Sequence, residues 1–170
     1  FCRLRATIIG VALVFAIGAM DSLSNAATPA QLRFLTGQLL VAKPGMADPR
    51  FHRTVIFMVK HDDSGAFGLI VNKKLGPLPF PELLTTMRAD PDGVKGSVTV
   101  HFGGPVEPRR GFILHTADYT KSPLFTVNAL YSISFDADIV RAMASGRGPA
   151  RRILAIGYAG WGIGQLEREF

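Results

Sequence analysis

The chain has 170 residues, a length that suits one domain, and its 48% apolar and 19% charged residues exclude a disordered chain. A formal net charge of +6 favours acidic partner surfaces without specifying one. The single cysteine, Cys2, excludes an internal disulfide and a cysteine-based zinc site, and it argues against a thiol enzyme.

The chain begins with Phe1 rather than methionine, so further sequence is expected upstream. Residues 1–26 read as an export signal. Arg3 and Arg5 form a basic start, residues 6–20 are an unbroken apolar run, and Ser24-Asn25-Ala26 offers small residues at a cleavage site. At 15 residues the run is shorter than the roughly 20 that span a bilayer as a helix. A short membrane anchor and a start codon set upstream of a cytoplasmic protein are the competing readings. The expected location is the periplasm, with the cytoplasm as alternative, and the expected domain is 27–170.

Residues 38–42 form a short aliphatic strand that Pro44-Gly45 breaks. Asp48-Pro49 starts a single helical turn, with Asp48 as its cap. The run 54–60 is apolar on both faces and is expected as a central strand covered on both sides. Asp62-Asp63-Ser64-Gly65 turns the chain, with a left-handed conformation expected at Gly65, and 66–72 returns as a hairpin partner. Gly68 inside it marks a bulge or a close backbone approach.

Lys73-Lys74 enters a proline-rich connection, and Pro81 sits in the first turn of a helix reaching Met87. A turn at Asp90-Pro91-Asp92-Gly93 precedes a half-buried strand at 97–102, which Gly103-Gly104-Pro105 ends. A loop with Glu107, Arg109 and Arg110 leads to a strand at 111–116. The segments 124–127 and 130–134 form an antiparallel pair or one bulged edge strand. Ser134 caps a helix that Gly146 stops. A last strand, 151–157, feeds the glycine-rich 158–164 and a helix beginning near Gln165. Leu166 and Phe170 give that helix one apolar face just as the sequence ends, so the C-terminal part of the domain is expected to be missing. Strands and helices do not alternate regularly. The fold class is α+β, with a mixed, largely antiparallel sheet.

Four blocks carry a resemblance: residues 35–73, FGGPV at 102–106, RGFILHT at 110–116 and ILAIGYAGWGIGQLEREF at 153–170. With these in order, the chain resembles the YqgE/AlgH family of bacterial proteins over essentially everything after the signal-like segment. The resemblance implies one α+β domain whose bifurcated sheet closes into a small barrel-like core with flanking helices. It also implies a cytoplasmic protein that continues for some tens of residues past the last helix. The family's association is with regulation of exopolysaccharide gene expression, which implies a regulator without implying a reaction.

The residues themselves suggest several sites. Gly160-x-Gly162-x-Gly164, between a strand and a helix, has the look of a phosphate cradle but lacks dinucleotide spacing and a P-loop lysine. Of four histidines, none has local metal-ligand spacing. His61, His101 and His115 sit near strand ends, where they could converge with Asp62 or Asp63 as a general base or a metal site, or serve as surface or hydrogen-bonded structural residues. No serine lies in a G-x-S-x-G elbow. The loop at Lys43, the strand end at Asn72 and the turn at Gly103 and Gly104 either line one cleft or shape barrel corners. The candidate ligand-binding residues are therefore Lys43, His61, Asn72, Gly103, Gly104, His115, Gly160 and Gly162, with no catalytic residue, metal or cofactor assigned. Arg109, Arg110, Arg147, Arg151 and Arg152 form the surface expected to meet an acidic partner or polyanion, or a solvated edge. The leading functional reading is a non-enzymatic binding or regulatory protein. Its rivals are a small hydrolase or nucleotide-binding enzyme and, if the protein is cytoplasmic, a nucleic-acid regulator.

Overall fold

The computed structural model describes residues 4–6, 34–121 and 123–169. They form β1 (Leu4–Ala6), β2 (Leu39–Ala42), β3 (Val55–Asp62), β4 (Gly65–Ile70), β5 (Lys74–Pro79), α1 (Phe80–Thr86), β6 (Ser97–Phe102), β7 (Val106–Thr116), β8 (Phe125–Thr126), β9 (Tyr131–Ser134), α2 (Ala137–Ala144), β10 (Arg152–Trp161) and α3 (Gln165–Glu169). Except for β1, which pairs with β2, the signal-like segment lies outside the described residues. Among these residues no helix is long and apolar enough to cross a membrane.

The apolar run on β3 behaves as its two-faced composition predicts. Antiparallel β2 and β4 flank it. Ile56 and Met58 point to one side, where Leu40, Ile70, Trp161 and Leu166 of α3 complete a cluster. Phe57 and Val59 point to the other, against Leu69, Phe112, Leu114, Ile133 and Ala155. All four are at most 6% exposed, and each such burial contributes about 2 kcal/mol. A third cluster seats α1 and α2 on the remaining outer face, through Leu83, Leu84, Ile139, Val140 and Met143 against Ile113 and Leu154. The sheet is thus a curled half-barrel, apolar inside, with α1 and α2 on one outer wall and α3 on the other.

The sheet is bifurcated, and β10 is where it forks. Its first half pairs antiparallel with β7 and parallel with β6; its last three residues pair antiparallel with β4. β10 can serve both branches because it bends at Gly157, whose φ is +69°. At the bend the chain crosses Gly103-Gly104 closely enough that a Cβ on Gly104 would lie 2.1 Å from the Tyr158 carbonyl carbon, and one on Gly103 2.2 Å from the Gly157 oxygen. Backbone N–H groups stitch the junction: Gly103 donates to Ile156 O, and Ile70 donates to Gly103 O.

Several expectations need correction. The proline-rich connection is a strand, β5, which among the described residues pairs only with β6 and forms an edge. Pro77 and Pro79 are two residues apart, so both missing N–H groups face the same, unpaired side. The edge therefore loses donors that another chain could use. Pro77→Thr is expected to leave stability within about 0.5 kcal/mol but to lower the concentration at which the protein aggregates, read by static light scattering. An unchanged aggregation threshold would show that the proline has no protective role.

The helix after β9 is capped by Asp136, whose carboxylate accepts from Ile139 N–H at 2.9 Å. Ser134 stays in β9 because its hydroxyl is committed elsewhere. Most of the glycine-rich 158–164 continues β10, since β4 is there to pair with it. The loop expected at Glu107 to Arg110 is an excursion within β7: pairing jumps from Gly111↔Ile156 to Val106↔Tyr158, so four residues stand opposite Gly157 alone. Gly65 takes φ +124°, positive as expected but more extended than a left-handed helix. Gly68 is a close approach, where a Cβ would meet Ile56 Cγ2 at 2.6 Å.

Candidate functional site

The histidines separate rather than converge. His61, at the end of β3, is 4% exposed, and both ring nitrogens are engaged. Nδ1 accepts from Leu35 N–H at 3.1 Å, so the proton sits on Nε2 and is donated to Glu167 Oε1 at 3.0 Å. Asp62 turns away to Ser64 and Lys60, and the Ser64 hydroxyl is the chief reason its carboxyl falls to about 2. His115 Nδ1 donates to Thr116 O at 2.8 Å, leaving Nε2 to accept from the Ser134 hydroxyl at 3.0 Å. The polarity is that of a serine nucleophile and its base. Both residues are sealed, however, at 0% and 1% exposure, and no substrate reaches them. His101 is buried with an unpartnered Nδ1, away from both.

Gly162 N–H is occupied by Gln165 Oε1 at 3.0 Å, which leaves this turn without that donor for a phosphate. Gly160 lies in β10 and lines a cavity of about 460 Å³ with Lys60, Phe67 and Tyr158. Its lining cation Lys60 is matched by Asp62 at 2.9 Å, and Arg110, outside the lining, is matched by Glu107 at 3.0 Å. Glu107 also accepts from the Tyr158 hydroxyl, whose pKa rises chiefly through burial and then through that carboxylate. The five arginines do not form one patch. Arg110 precedes the Gly111↔Ile156 pair, whereas Arg152 faces His115 about 13 Å along the same ladder. Gly103 and Gly104 are committed to the fork.

Lys43 and Asn72 belong to the same region: Lys43 lines a cavity at the β2–β3 connection, and Asn72 braces Arg53 and Val55 of its wall. The β2–β3 connection folds as consecutive turns, with Phe51 N–H donating to Asp48 O and Thr54 N–H to Phe51 O. Asp48 caps the first by accepting from Arg50 N–H, as Asp-Pro predicts, and its carboxylate is paired with the Arg50 guanidinium at 2.7 Å. That pairing, above all the guanidinium hydrogen bond, holds the Asp48 carboxyl below the usual range. From β4's end, Asn72 accepts from Val55 N–H at 2.8 Å and donates to Arg53 O at 2.9 Å. Lys73 Nζ donates to the carbonyls of Pro49 and Arg50. These braces hold Arg53 at φ +56°, a conformation that costs a non-glycine residue about 1 kcal/mol.

The braced loop encloses a cavity of about 390 Å³ lined by Val41, Lys43, Pro44, His52, Arg53 and Val55, among others. No Asp or Glu among the described residues lines it. Among the described residues, the side chains of Lys43, His52 and Arg53 make no hydrogen bond or ion pair, although Lys43 is half-buried. An uncompensated cluster of donors around a cavity recruits an anion. Sequence reasoning placed Lys43 here but missed His52 and Arg53. The turn at Asp48-Pro49 brings them to the same cavity as Lys43, a relation that no linear pattern shows.

A profile of the AlgH-like DUF179 family matches residues 39–170. The chain belongs to the AlgH-like family. A UPF0301 protein of Rhodospirillum rubrum is 46% identical over 136 residues, covering 80% of this chain and 71% of its own length. A second, from Novosphingobium aromaticivorans, is 47% identical over 139 residues, covering 82% and 74%. The solution structure of AlgH from Pseudomonas aeruginosa is 36% identical and superposes with a TM-score of 0.65 over 89% of this chain and 76% of that one. A Corynebacterium diphtheriae protein shares the fold alone, at 19% identity and a TM-score of 0.57 over 79% and 70%. The AlgH-like fold is thus the one described above, a mostly antiparallel, curled half-barrel with three helices.

Proposed function

We propose that this chain is a non-enzymatic binding protein that takes a small anionic ligand in the β2–β3 loop pocket. The observation that carries the reading is the polar lining of that pocket: among the described residues, Lys43, His52 and Arg53 line it unpaired and no carboxylate does. The loop is already braced by Asn72 and Lys73, so ordering it on binding costs little. The rival hydrolase is not supported, because His61 and His115 each have both ring nitrogens occupied and are sealed from solvent. A regulatory role would follow if ligand occupancy altered the chain's contacts with a partner.

Titration of the labelled protein with inorganic phosphate at low salt is expected to shift the amide signals of residues 41–45 and 52–55. Lys43→Ala should weaken that binding about tenfold, the loss of one charge-assisted hydrogen bond. Arg53→Asn should do the same while keeping the left-handed backbone, which asparagine tolerates. Shifts scattered over the surface, or equal binding by both variants, would remove the assignment.

A further inference from the structure

We infer that the ligand of this pocket carries a short apolar chain behind its anionic group, making it a carboxylate- or phosphate-headed amphiphile. The inference rests on the anion reading above and adds the ligand's class. Its basis is a juxtaposition: the rim of Lys43, His52 and Arg53 opens onto an aliphatic stripe that is exposed among the described residues.

The stripe follows from register. Directly paired residues of neighbouring strands share a face. Val41 pairs with Val55 and Leu39 with Phe57, so all four face the concave side of the half-barrel. Val71, whose N–H donates to Val55 O, packs against the same interior cluster. Phe57 is sealed at 6% exposure, but Leu39 is 43% exposed and Val41 38%. A large aliphatic side chain directed at the inside of a barrel is ordinarily covered; here two on the same face of β2 are exposed, and Val41 lies two residues before Lys43. Val41, Ala42, Pro44 and Val55 supply the apolar part of the pocket wall, and Leu39 continues it towards Phe57.

The composition of that wall selects the ligand. Inorganic phosphate would use the rim and leave the stripe wet. A nucleotide or single-stranded nucleic acid would call for an aromatic platform, and no Phe, Tyr or Trp among the described residues lines the pocket. An alkyl chain needs only aliphatic walls, and each methylene removed from water adds to the affinity. A cavity of about 390 Å³ lies within the ordinary range for small ligands. The free acid and the lipid headgroup share this chemistry, and the experiment separates them.

Amide-shift titrations of the full chain with acetate, octanoate and octyl phosphate, all as monomers, measure head and chain together. Octanoate is expected to bind at least about tenfold more tightly than acetate. Leu39→Asn should bring the octanoate-to-acetate ratio towards one, and Lys43→Ala should weaken both ligands. Equal affinities for acetate and octanoate overturn the chain inference while leaving the anion pocket intact. No site-specific shift with either, nor with phosphate, removes both. Sedimentation with phosphatidylglycerol vesicles identifies the source: retention abolished by Leu39→Asn assigns a membrane lipid, and monomer binding without retention assigns a free amphiphile. Retention that survives Leu39→Asn in a protein that binds no octanoate shows charge attraction alone and overturns the inference.

Discussion

Replacing Gly104 by alanine is expected to destabilise the protein by about 3 kcal/mol, enough to lower the thermal midpoint by several degrees or to prevent folding. The added Cβ would stand 2.1 Å from the carbonyl carbon of Tyr158 and 2.4 Å from Ala159 N, and backbone cannot yield as a flexible side chain can. Gly104 also has φ +151°, where an alanine is strained in any surroundings. The two costs fall at the point where β10 passes from one branch of the sheet to the other, so relaxing either strand would disturb the pairing of β4, β6 and β7. Gly162→Ala provides the contrast. Its Cβ would meet only Gln165 Oε1, at 3.9 Å, and its effect should stay within about 0.5 kcal/mol. Denaturant unfolding of the two variants checks the pair. Equal stabilities would mean that the fork tolerates a side chain and that Gly104 serves something other than packing.

The second large effect is expected at His61. The ring ties two segments to β3: residues 34–35, through Leu35 at Nδ1 and an edge-on contact with Phe34 at a ring-centroid distance of 5.4 Å, and α3, through Nε2 and Glu167. His61→Leu keeps most of the volume and removes both nitrogens. The buried Leu35 N–H then has no acceptor, at a cost of about 2 kcal/mol, and α3 loses its polar tether. Hydrogen exchange should rise over residues 165–169 well before it rises in β7 or β10, because α3 is short and is held chiefly by Leu166 and by Glu169 on Trp161. Uniform exchange in wild type and variant would show that the tether is dispensable.

The same contact adds an acid dependence. The Glu167 carboxyl is held below its ordinary value of 4.5, first by its backbone N–H and then by His61. A carboxyl lowered in the folded state stabilises above its unfolded pKa, and the stabilisation disappears as pH falls through the folded one. The docking of α3 should therefore loosen below about pH 4.5, and by less in His61→Leu, which has already lost part of the cause.

Much of the architecture was legible because it rests on local chemistry. β3 could be read as central and doubly covered since five consecutive apolar residues leave no face for water. The hairpin at Asp62 to Gly65, the helix after Pro79 and the stop at Gly146 follow from turn and capping residues whose conformational preferences act over a few bonds. β5 was missed because its prolines read as breakers; only the presence of β6 on one side and nothing on the other makes them acceptable. Asp136 was passed over as a cap because Ser134 is equally suited in isolation, and it took His115, from a distant strand, to claim that hydroxyl. Of the candidate site, Lys43 and Asn72 were visible as loop and strand-end residues. His52 and Arg53 were not, since nothing in a linear pattern shows that a turn will fold them onto Lys43.

The sequence by itself determined the family, the α+β class, the paired strands of the core and the places where glycine is indispensable, for these depend on composition and on near-neighbour stereochemistry. The tertiary structure alone decided what those residues do. It made Gly103, Gly104 and Gly157 the fork of a sheet, because close approach is a relation between strands far apart in the chain. It closed His61 and His115 into hydrogen bonds, because a ring nitrogen's availability depends on what packs against it. And it left Lys43, His52 and Arg53 unpaired around one cavity, because charge compensation is settled by which side chains meet in space.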